Sequence, residues 1–141
     1  MIFSREAGYA IRALIKLAEK PRNQFVSAKA LAQELHISES FLSKILQKLV
    51  KQGWLHSVRG AKGGVAYAID PESLSLLDVV LAVDGDALFT QCILGLPECH
   101  SNNGPCVIHE EWAPLRDALW NLLKKRTIAD FSKNPKGVST N

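Results

Sequence analysis

The sequence lacks the features of membrane, secreted and disordered proteins. None of its hydrophobic runs approaches the roughly 18 apolar residues of a membrane-spanning helix, and its first residues lack the charged and then apolar layout of a signal peptide. Its hydrophobic content of 47% is enough for a folded core. We therefore expect a folded cytoplasmic protein with no membrane partner.

Cysteine is scarce and confined to one segment. The 141-residue chain has three cysteines, Cys92, Cys99 and Cys106, with six residues between neighbours, and His109 follows at Cys-x-x-His spacing. An odd number of cysteines in a cytoplasmic chain, where thiols stay reduced, argues against a disulfide framework. Thiolates and imidazole are ligands of zinc and of iron-sulfur clusters. These four residues are therefore candidate ligands.

Basic residues are absent from the middle of the chain. Residues 1–69 hold 11 Lys or Arg and 4 Asp or Glu, a balance of +7, whereas residues 70–141 hold 6 and 10, a balance of −4. From Asp70 to Glu111 there are eight acidic residues and no Lys or Arg. We expect a polyanion to meet the first half of the chain, away from the Cys/His segment.

Apolar spacing predicts three helices in the first half, each preceded by a serine that can cap it: Ser4, Ser27 and Ser38. The second and third are separated only by a turn at His36 and Ile37, which is typical of a helix-turn-helix. Polar and basic side chains follow the outer side of the third helix: Ser40, Ser43, Lys44, Gln47 and Lys51. This side suits base edges or phosphates in a DNA major groove, although an ordinary solvated helix face would have the same composition.

Two predicted strands, 54–59 and 65–69, flank a glycine-rich tip. A β-hairpin directly after a helix-turn-helix is a wing. Four residues of the hairpin suit contact with a phosphate or a narrow minor groove, two by charge and two by lacking a side chain: Arg59, Lys62, Gly63 and Gly64. The sequence thus predicts a mainly α fold with a small β-wing, a winged helix-turn-helix.

The second half predicts two more helices. Ser75 and Asp78 have the spacing of a capping box, and this helix ends at the Asp84-Gly85-Asp86 step. A long C-terminal helix has apolar residues alternating by four and three: Ile108, Trp112, Leu115, Leu119 and Leu122. We interpret this seam as a dimerisation helix, although a helix packed in a monomer core would show the same pattern.

The predicted organisation has four parts. Residues 1–86 form the winged helix-turn-helix domain and 87–109 the Cys/His loop. Residues 110–131 form the dimerisation helix and 132–141 a disordered tail. The loop is rich in glycine, proline and polar residues, so it needs a bound partner to become ordered.

Three motifs resemble those of the IscR/NsrR/CymR-type (Rrf) bacterial transcriptional regulators: Tyr9-Ala10 with Arg12-Ala13-Leu14, Ser57-Val58-Arg59-Gly60 followed by Gly63-Gly64, and Cys106-Val107-Ile108-His109. The resemblance covers residues 1 to about 131. It implies a winged-helix homodimer, and not an enzyme, that binds a pseudo-palindromic operator in double-stranded DNA. Many such regulators hold an iron-sulfur cluster through three cysteines and a fourth ligand.

The resemblance implies a ligand set of Cys92, Cys99, Cys106 and His109. The Cys-x-x-His step matches the IscR-type histidine ligand, which favours a 2Fe-2S cluster over 4Fe-4S. Four-iron relatives use a carboxylate near the N-terminus of the partner subunit, where this chain has Gly8. The spacings of six residues depart from the five of IscR-type loops, which leaves the cluster type open.

Other interpretations of the Cys/His segment stay open. Zinc accepts three cysteines and a histidine, but compact zinc sites usually bring ligands in close pairs, and only Cys106 and His109 are close in this sequence. The cysteines could also form a metal-free thiol switch, or be unrelated free thiols. A Cys/His pair could support nucleophilic catalysis, yet no oxyanion element or third orienting residue accompanies it. A small electron-transfer protein would not need a basic winged helix.

We therefore expect a DNA-binding transcriptional regulator whose operator binding is controlled by an iron-sulfur cluster that senses redox state, iron or nitric oxide. A zinc-containing or thiol-switch regulator of the same fold is the alternative.

Overall fold

A computed structural model describes residues 2–96 and 107–132. Helices dominate these residues, and two strands form one small sheet. The elements in chain order are α1 (Arg5–Ala18), α2 (Ala28–Leu35), α3 (Glu39–Lys51), β1 (Leu55–Val58), β2 (Gly64–Tyr67), a 3-10 helix (Pro71–Ser73), α4 (Leu76–Asp84), α5 (Ala87–Thr90), α6 (His109–Lys125) and α7 (Ile128–Ser132).

Serine caps begin four of the helices, which confirms the sequence prediction. Each hydroxyl oxygen accepts a hydrogen bond of 3.0 to 3.2 Å from the backbone N–H three residues later, a contact that stabilises a helix by about 1 kcal/mol. The caps are Ser4, Ser27, Ser38 and Ser75. At the last of them the Asp78 carboxylate also accepts from the Ser75 N–H at 2.9 Å, which completes the predicted capping box.

The turn between α2 and α3 depends on one left-handed residue. His36 has φ 55° and ends α2, and Ile37 returns a backbone hydrogen bond to Ala32 at 3.1 Å. Gly53, with φ 80°, lies just past α3, at a position where helices commonly end in a left-handed residue. The left-handed backbone at His36 sets the orientation of α3 against α2. The left-handed backbone at Gly53 directs the chain into the wing.

The core is built around α1. Its apolar residues recur at helical spacing on several sides and are buried: Ala7, Ala10, Ile11, Ala13, Leu14, Ile15 and Leu17. Helices α2, α3, α4 and α7 and strand β2 all pack against it. The buried Tyr67 hydroxyl on β2 donates to the Leu14 carbonyl oxygen at 2.5 Å, and burial raises the pKa of Tyr67 far above its usual value.

The wing is the antiparallel pair of β1 and β2, in which Leu55 pairs with Tyr67 and Val58 with Gly64. The strands are shorter than the predicted 54–59 and 65–69. Val58 is apolar but 49% exposed. Leu55 and Val58 are separated by an odd number of positions, so their side chains point to opposite faces of the sheet.

A bridge outside the two strands joins the wing to the rest of the fold. Val26, just before α2, exchanges two 2.9 Å backbone hydrogen bonds with Val65 of β2. Gly64 allows this approach, because a Cβ there would lie 2.1 Å from the Val26 carbonyl oxygen. A Cβ on Gly63 would lie equally close to the Val58 carbonyl oxygen. Both glycines are therefore needed for packing, whatever else they contact.

The C-terminal part of the chain returns to the winged-helix core. After α6, the short α7 is preceded by Thr127, whose N–H donates to the Asp130 carboxylate at 2.9 Å. Backbone hydrogen bonds of 2.9 Å join Leu76 to Arg126 and Ile128 to Leu74. Helix α7 includes Ser132, which was expected to begin the disordered tail. The rest of that tail, 133–141, lies outside the described residues.

The predicted apolar seam of α6 divides between two faces. Leu119 and Trp120 pack on the core, with Leu123 buried beside them, and Trp112 is partly buried. Leu115 and Leu122, by contrast, are 63% and 56% exposed. One side of α6 thus covers its own chain, and another side presents leucines to solvent.

We expect Gly64→Ala to destabilise the fold by about 2 kcal/mol or more, because the new Cβ meets a backbone oxygen in a strained conformation. Gly60→Ala is the matched control. Gly60 also has positive φ, but a Cβ there meets nothing within 4 Å, so backbone strain alone should cost about 1 kcal/mol. Urea unfolding measures the free energy of unfolding of both variants. Equal decreases in the two variants would show that the contact with Val26 is not the cause.

Candidate functional site

Helix α3 presents a polar face opposite its buried face. Its core side is fully apolar: Leu42, Ile45, Leu46 and Leu49. Of the predicted contact residues, Ser40, Lys44 and Gln47 are exposed and Ser43 is half-buried. Across residues 2–96 and 107–132, Lys44 has no ion-pair partner, whereas Lys48, on the flank of this face, pairs with Glu6 at 2.7 Å. The structure thus brings the four predicted contact residues of α3 onto one accessible surface.

A groove of about 400 Å³ separates α3 from the wing. Ser43, Gln47 and Lys51 line its helix side, and Ser57 and Gly64 line its wing side. The wing tip beyond the groove carries Arg59 and Lys62, both exposed. Ala28, Leu46, Val50 and Val65 line the rest of the groove, so its floor is apolar. The basic and hydroxyl groups lie at its two rims, where they suit the sugar-phosphate backbone of a nucleic acid.

Cys92 lies just after α5 and is half-buried. Its Sγ accepts a hydrogen bond from the Leu94 N–H at 3.4 Å, and its carbonyl accepts from Gly95 at 2.9 Å. N–H groups directed at sulfur stabilise a thiolate and tune a bound metal centre. The turn around Cys92 is therefore suited to a ligand.

Cys92 shares a cavity of about 370 Å³ with Trp112 of α6. The Trp112 indole N–H is buried and has no hydrogen-bond partner in the described part of the chain. His109 begins α6 one helical turn before Trp112. A thiol and an indole donor thus line one cavity, whereas His109 lies one turn away on α6 and is not among the lining residues. Cys99 and Cys106 lie outside the described residues, and within the described ranges no three His, Cys, Asp or Glu side chains converge on a metal site.

The same cavity reaches the start of α1. Ser4 and Asp84 line it together with Cys92. The Ser4 N–H donates to the Asp84 carboxylate at 2.8 Å, and the Ser4 hydroxyl donates to the other oxygen of that carboxylate. The Cys92 turn therefore adjoins the hydrogen bonds that hold the first turn of α1 to the end of α4. Sequence patterns gave no indication of this link, because the residues are far apart in the chain.

The fold and the polar face of α3 define a winged helix-turn-helix protein. No helix among the described residues has the length and apolar character needed to span a membrane.

Comparisons with known proteins agree with this class. A family model described as Rrf2, iron-dependent transcriptional regulator, matches residues 3–134. The regulator NsrR of Bacillus licheniformis is 32% identical over 127 residues, covering 89% of this chain and 88% of that protein. IscR of Vibrio campbellii is 28% identical, covering 95% and 79%. The structure of CymR, the global cysteine regulator of Bacillus subtilis, superposes with a TM-score of 0.77 at 25% identity, covering 93% and 95%.

The chain belongs to the Rrf2 family of transcriptional regulators. It is a DNA-binding regulator of transcription and not an enzyme. The expected resemblance to IscR/NsrR/CymR-type regulators is confirmed, as is the mainly α winged-helix fold.

Proposed function

We propose that this regulator binds a pseudo-palindromic operator as a homodimer, and that an iron-sulfur cluster held by Cys92, Cys99, Cys106 and His109 controls the binding. The observation that carries the proposal is the shared cavity, in which Cys92 and the first turns of α6 adjoin the start of α1. A group bound there is in contact with both the DNA-binding core and the long helix. This is where a sensor would act on DNA affinity.

The proposed DNA contacts lie on two elements. Ser40, Ser43, Lys44 and Gln47 of α3 contact base edges or phosphates in the major groove. Arg59 and Lys62 enter the minor groove, where Gly63 and Gly64 keep the backbone close to the DNA. Their exposure on one side of the molecule supports this assignment. Residues 1–86 act as the DNA-binding unit in this proposal.

The proposed cluster is of the 2Fe-2S type, because the donor set combines three thiolates with an imidazole. A bound cluster would supply a redox-active group that is lost or altered by oxidants or by iron limitation. The protein's part is to hold it: the Leu94 N–H donates to Cys92 Sγ, and the Trp112 indole N–H is available for a further hydrogen bond. Residues 87–109 form the proposed cluster loop.

A second candidate is a metal-free thiol switch. It is favoured by the likeness to CymR, a cysteine regulator, and by the partial exposure of Cys92, which leaves its thiol open to oxidants.

The proposed dimer interface lies on α6, within residues 110–131. Leu115, Ala118 and Leu122 recur at intervals of three and four and are exposed together. A leucine stripe of this spacing on a long helix packs against a second helix. Two copies joined there present two recognition helices to the two halves of an operator.

We expect Arg59→Ala to weaken binding to an operator selected from a random duplex pool by about 1 to 3 kcal/mol if Arg59 contacts bases or groove shape. Fluorescence anisotropy on the selected and on random duplexes measures the effect. An equal loss on both would restrict Arg59 to phosphate contact. Lys124→Ala, a change on the exposed side of α6 and away from the proposed DNA contacts, is the control.

We expect protein purified without air to show visible absorbance and bound iron and sulfide, and both Cys92→Ala and His109→Ala to reduce the absorbance and alter operator affinity. His56→Ala, on the wing, is the matched histidine control and should keep the colour. Colourless wild-type protein whose DNA affinity changes on mild oxidation would support the thiol switch instead. Bound zinc without iron would support the zinc alternative.

We expect Leu115→Asp with Leu122→Asp to convert a dimer into monomers, because two carboxylates cannot be buried in an apolar interface without partners. Sedimentation velocity measures the change. Asn121→Asp adds a charge to another exposed side of the same helix and should leave the dimer intact. A dimer that persists in the double variant would contradict the assignment of this face.

A further inference from the structure

Two arginines of α1 converge on two aromatic rings beside α3. The Arg12 guanidinium carbon lies 3.9 Å from the centroid of the Tyr9 ring. The Arg5 guanidinium carbon lies 5.6 Å from the same centroid and 5.9 Å from that of Phe41. Tyr9 and Phe41 meet edge to face at 5.7 Å. We call Arg5, Tyr9, Arg12 and Phe41 the arginine cluster. Cation-π contacts of this kind hold guanidinium groups in place without neutralising them.

Among residues 2–96 and 107–132, no acidic side chain pairs with the arginines of the arginine cluster. In the described part of the chain, neither Arg5 nor Arg12 forms an ion pair, and Glu6, next to Arg5 in sequence, bonds to Lys48 at 2.7 Å. Hydrogen bonding by Arg12, and then by Arg5, lowers the pKa of the Tyr9 phenol, and the charge of the two guanidinium groups adds a smaller effect in the same direction. Two fixed, unpaired guanidinium groups suit a phosphate, which accepts paired N–H donors.

The position of Phe41 relates the arginine cluster to the DNA-facing side of α3. Successive helix residues turn by about 100°, so Phe41 and Lys48 lie on one flank of the stripe formed by Ser40, Lys44 and Gln47. Ser43, on the other flank, lines the groove toward the wing. A helix in the major groove lies between two phosphate backbones, since the groove is only about 12 Å wide. The wing and the arginine cluster therefore flank α3 on opposite sides.

We propose that Arg5 and Arg12, held by Tyr9 and Phe41, bind a phosphodiester of the DNA backbone on the side of α3 away from the wing. The inference rests on the proposed docking of α3 in the major groove. The two guanidinium groups donate hydrogen bonds to the non-bridging phosphate oxygens, and the aromatic rings fix their positions. The contact contributes affinity on any sequence, because phosphates carry no base identity.

The test measures the dissociation constant for a 30-base-pair duplex of random sequence as a function of salt concentration. Arg5→Gln with Arg12→Gln should weaken binding about tenfold or more and reduce the slope of log affinity against log salt by about 1, the change expected for one lost phosphate contact. The loss should be the same on a selected operator. Lys124→Gln, a charge removed from the exposed side of α6, should leave the slope unchanged.

Arg5→Lys with Arg12→Lys separates charge from geometry and should keep the salt slope while losing part of the affinity. If the glutamine double variant binds like wild type while Arg59→Ala weakens binding, the inference is overturned and the proposed function stands. If the wild-type protein binds no duplex, the proposed function fails, and the inference with it. If the glutamine double variant changes only the dimer dissociation constant, the arginine cluster binds an acidic surface of a second copy, which also overturns the inference.

Discussion

The burial of α1 is the constraint on which the rest of the structure depends. Five other elements pack on this helix, so their relative positions are set through it. Alanines at positions 7, 10 and 13 let neighbouring backbones approach closely, and larger residues such as Leu14 fill the space between them. The strip of α1 left open to solvent is narrow. Arg5, Tyr9 and Arg12 lie along it at intervals of four and three residues, so the open side of the central helix is also its basic side.

Because α1 is central, Cys92 of the Cys/His segment lies close to the helix on which the DNA-binding elements pack. Because the Cys/His segment leads directly into α6, one route for a signal runs through that helix. The structure adds a more direct connection, because Cys92 lies in the same cavity as Ser4 and Asp84, whose hydrogen bonds hold the first turn of α1. A change at Cys92 is thus close to the helix on which α3 packs. In the proposed mechanism both routes are available to a bound cluster.

Local patterns in the sequence predicted the local parts of the fold well. The four serine caps and the turn at His36 depend on a few adjacent residues, so their signals are complete within a short window. Helices α5 and α7 were missed because four or five residues show too little periodicity to be recognised. The sequence also could not show which α6 leucines are buried and which are exposed. The same helical spacing would place leucines against the core or on a face that binds another helix.

The candidate site was only partly predictable for a related reason. The polar face of α3 follows from helical spacing, and the structure places it as expected. The pairing of Val26 with Val65 and the link from Ser4 to Asp84 join residues that are distant in sequence, so no local pattern contains them. Of the arginine cluster, the sequence motifs contain only Tyr9 and Arg12. The cluster also needs Phe41, which a different helix supplies, so no local pattern contains it.

The bridge between Val26 and Val65 has a consequence for regulation. It ties the wing to the segment that enters α2, so a swing of the hairpin relative to the helix-turn-helix would break two backbone hydrogen bonds. The wing and α3 therefore meet DNA as one unit. In the proposed homodimer, a bound group would act on the distance between two such units, and also on the start of α1, against which α3 packs in each unit.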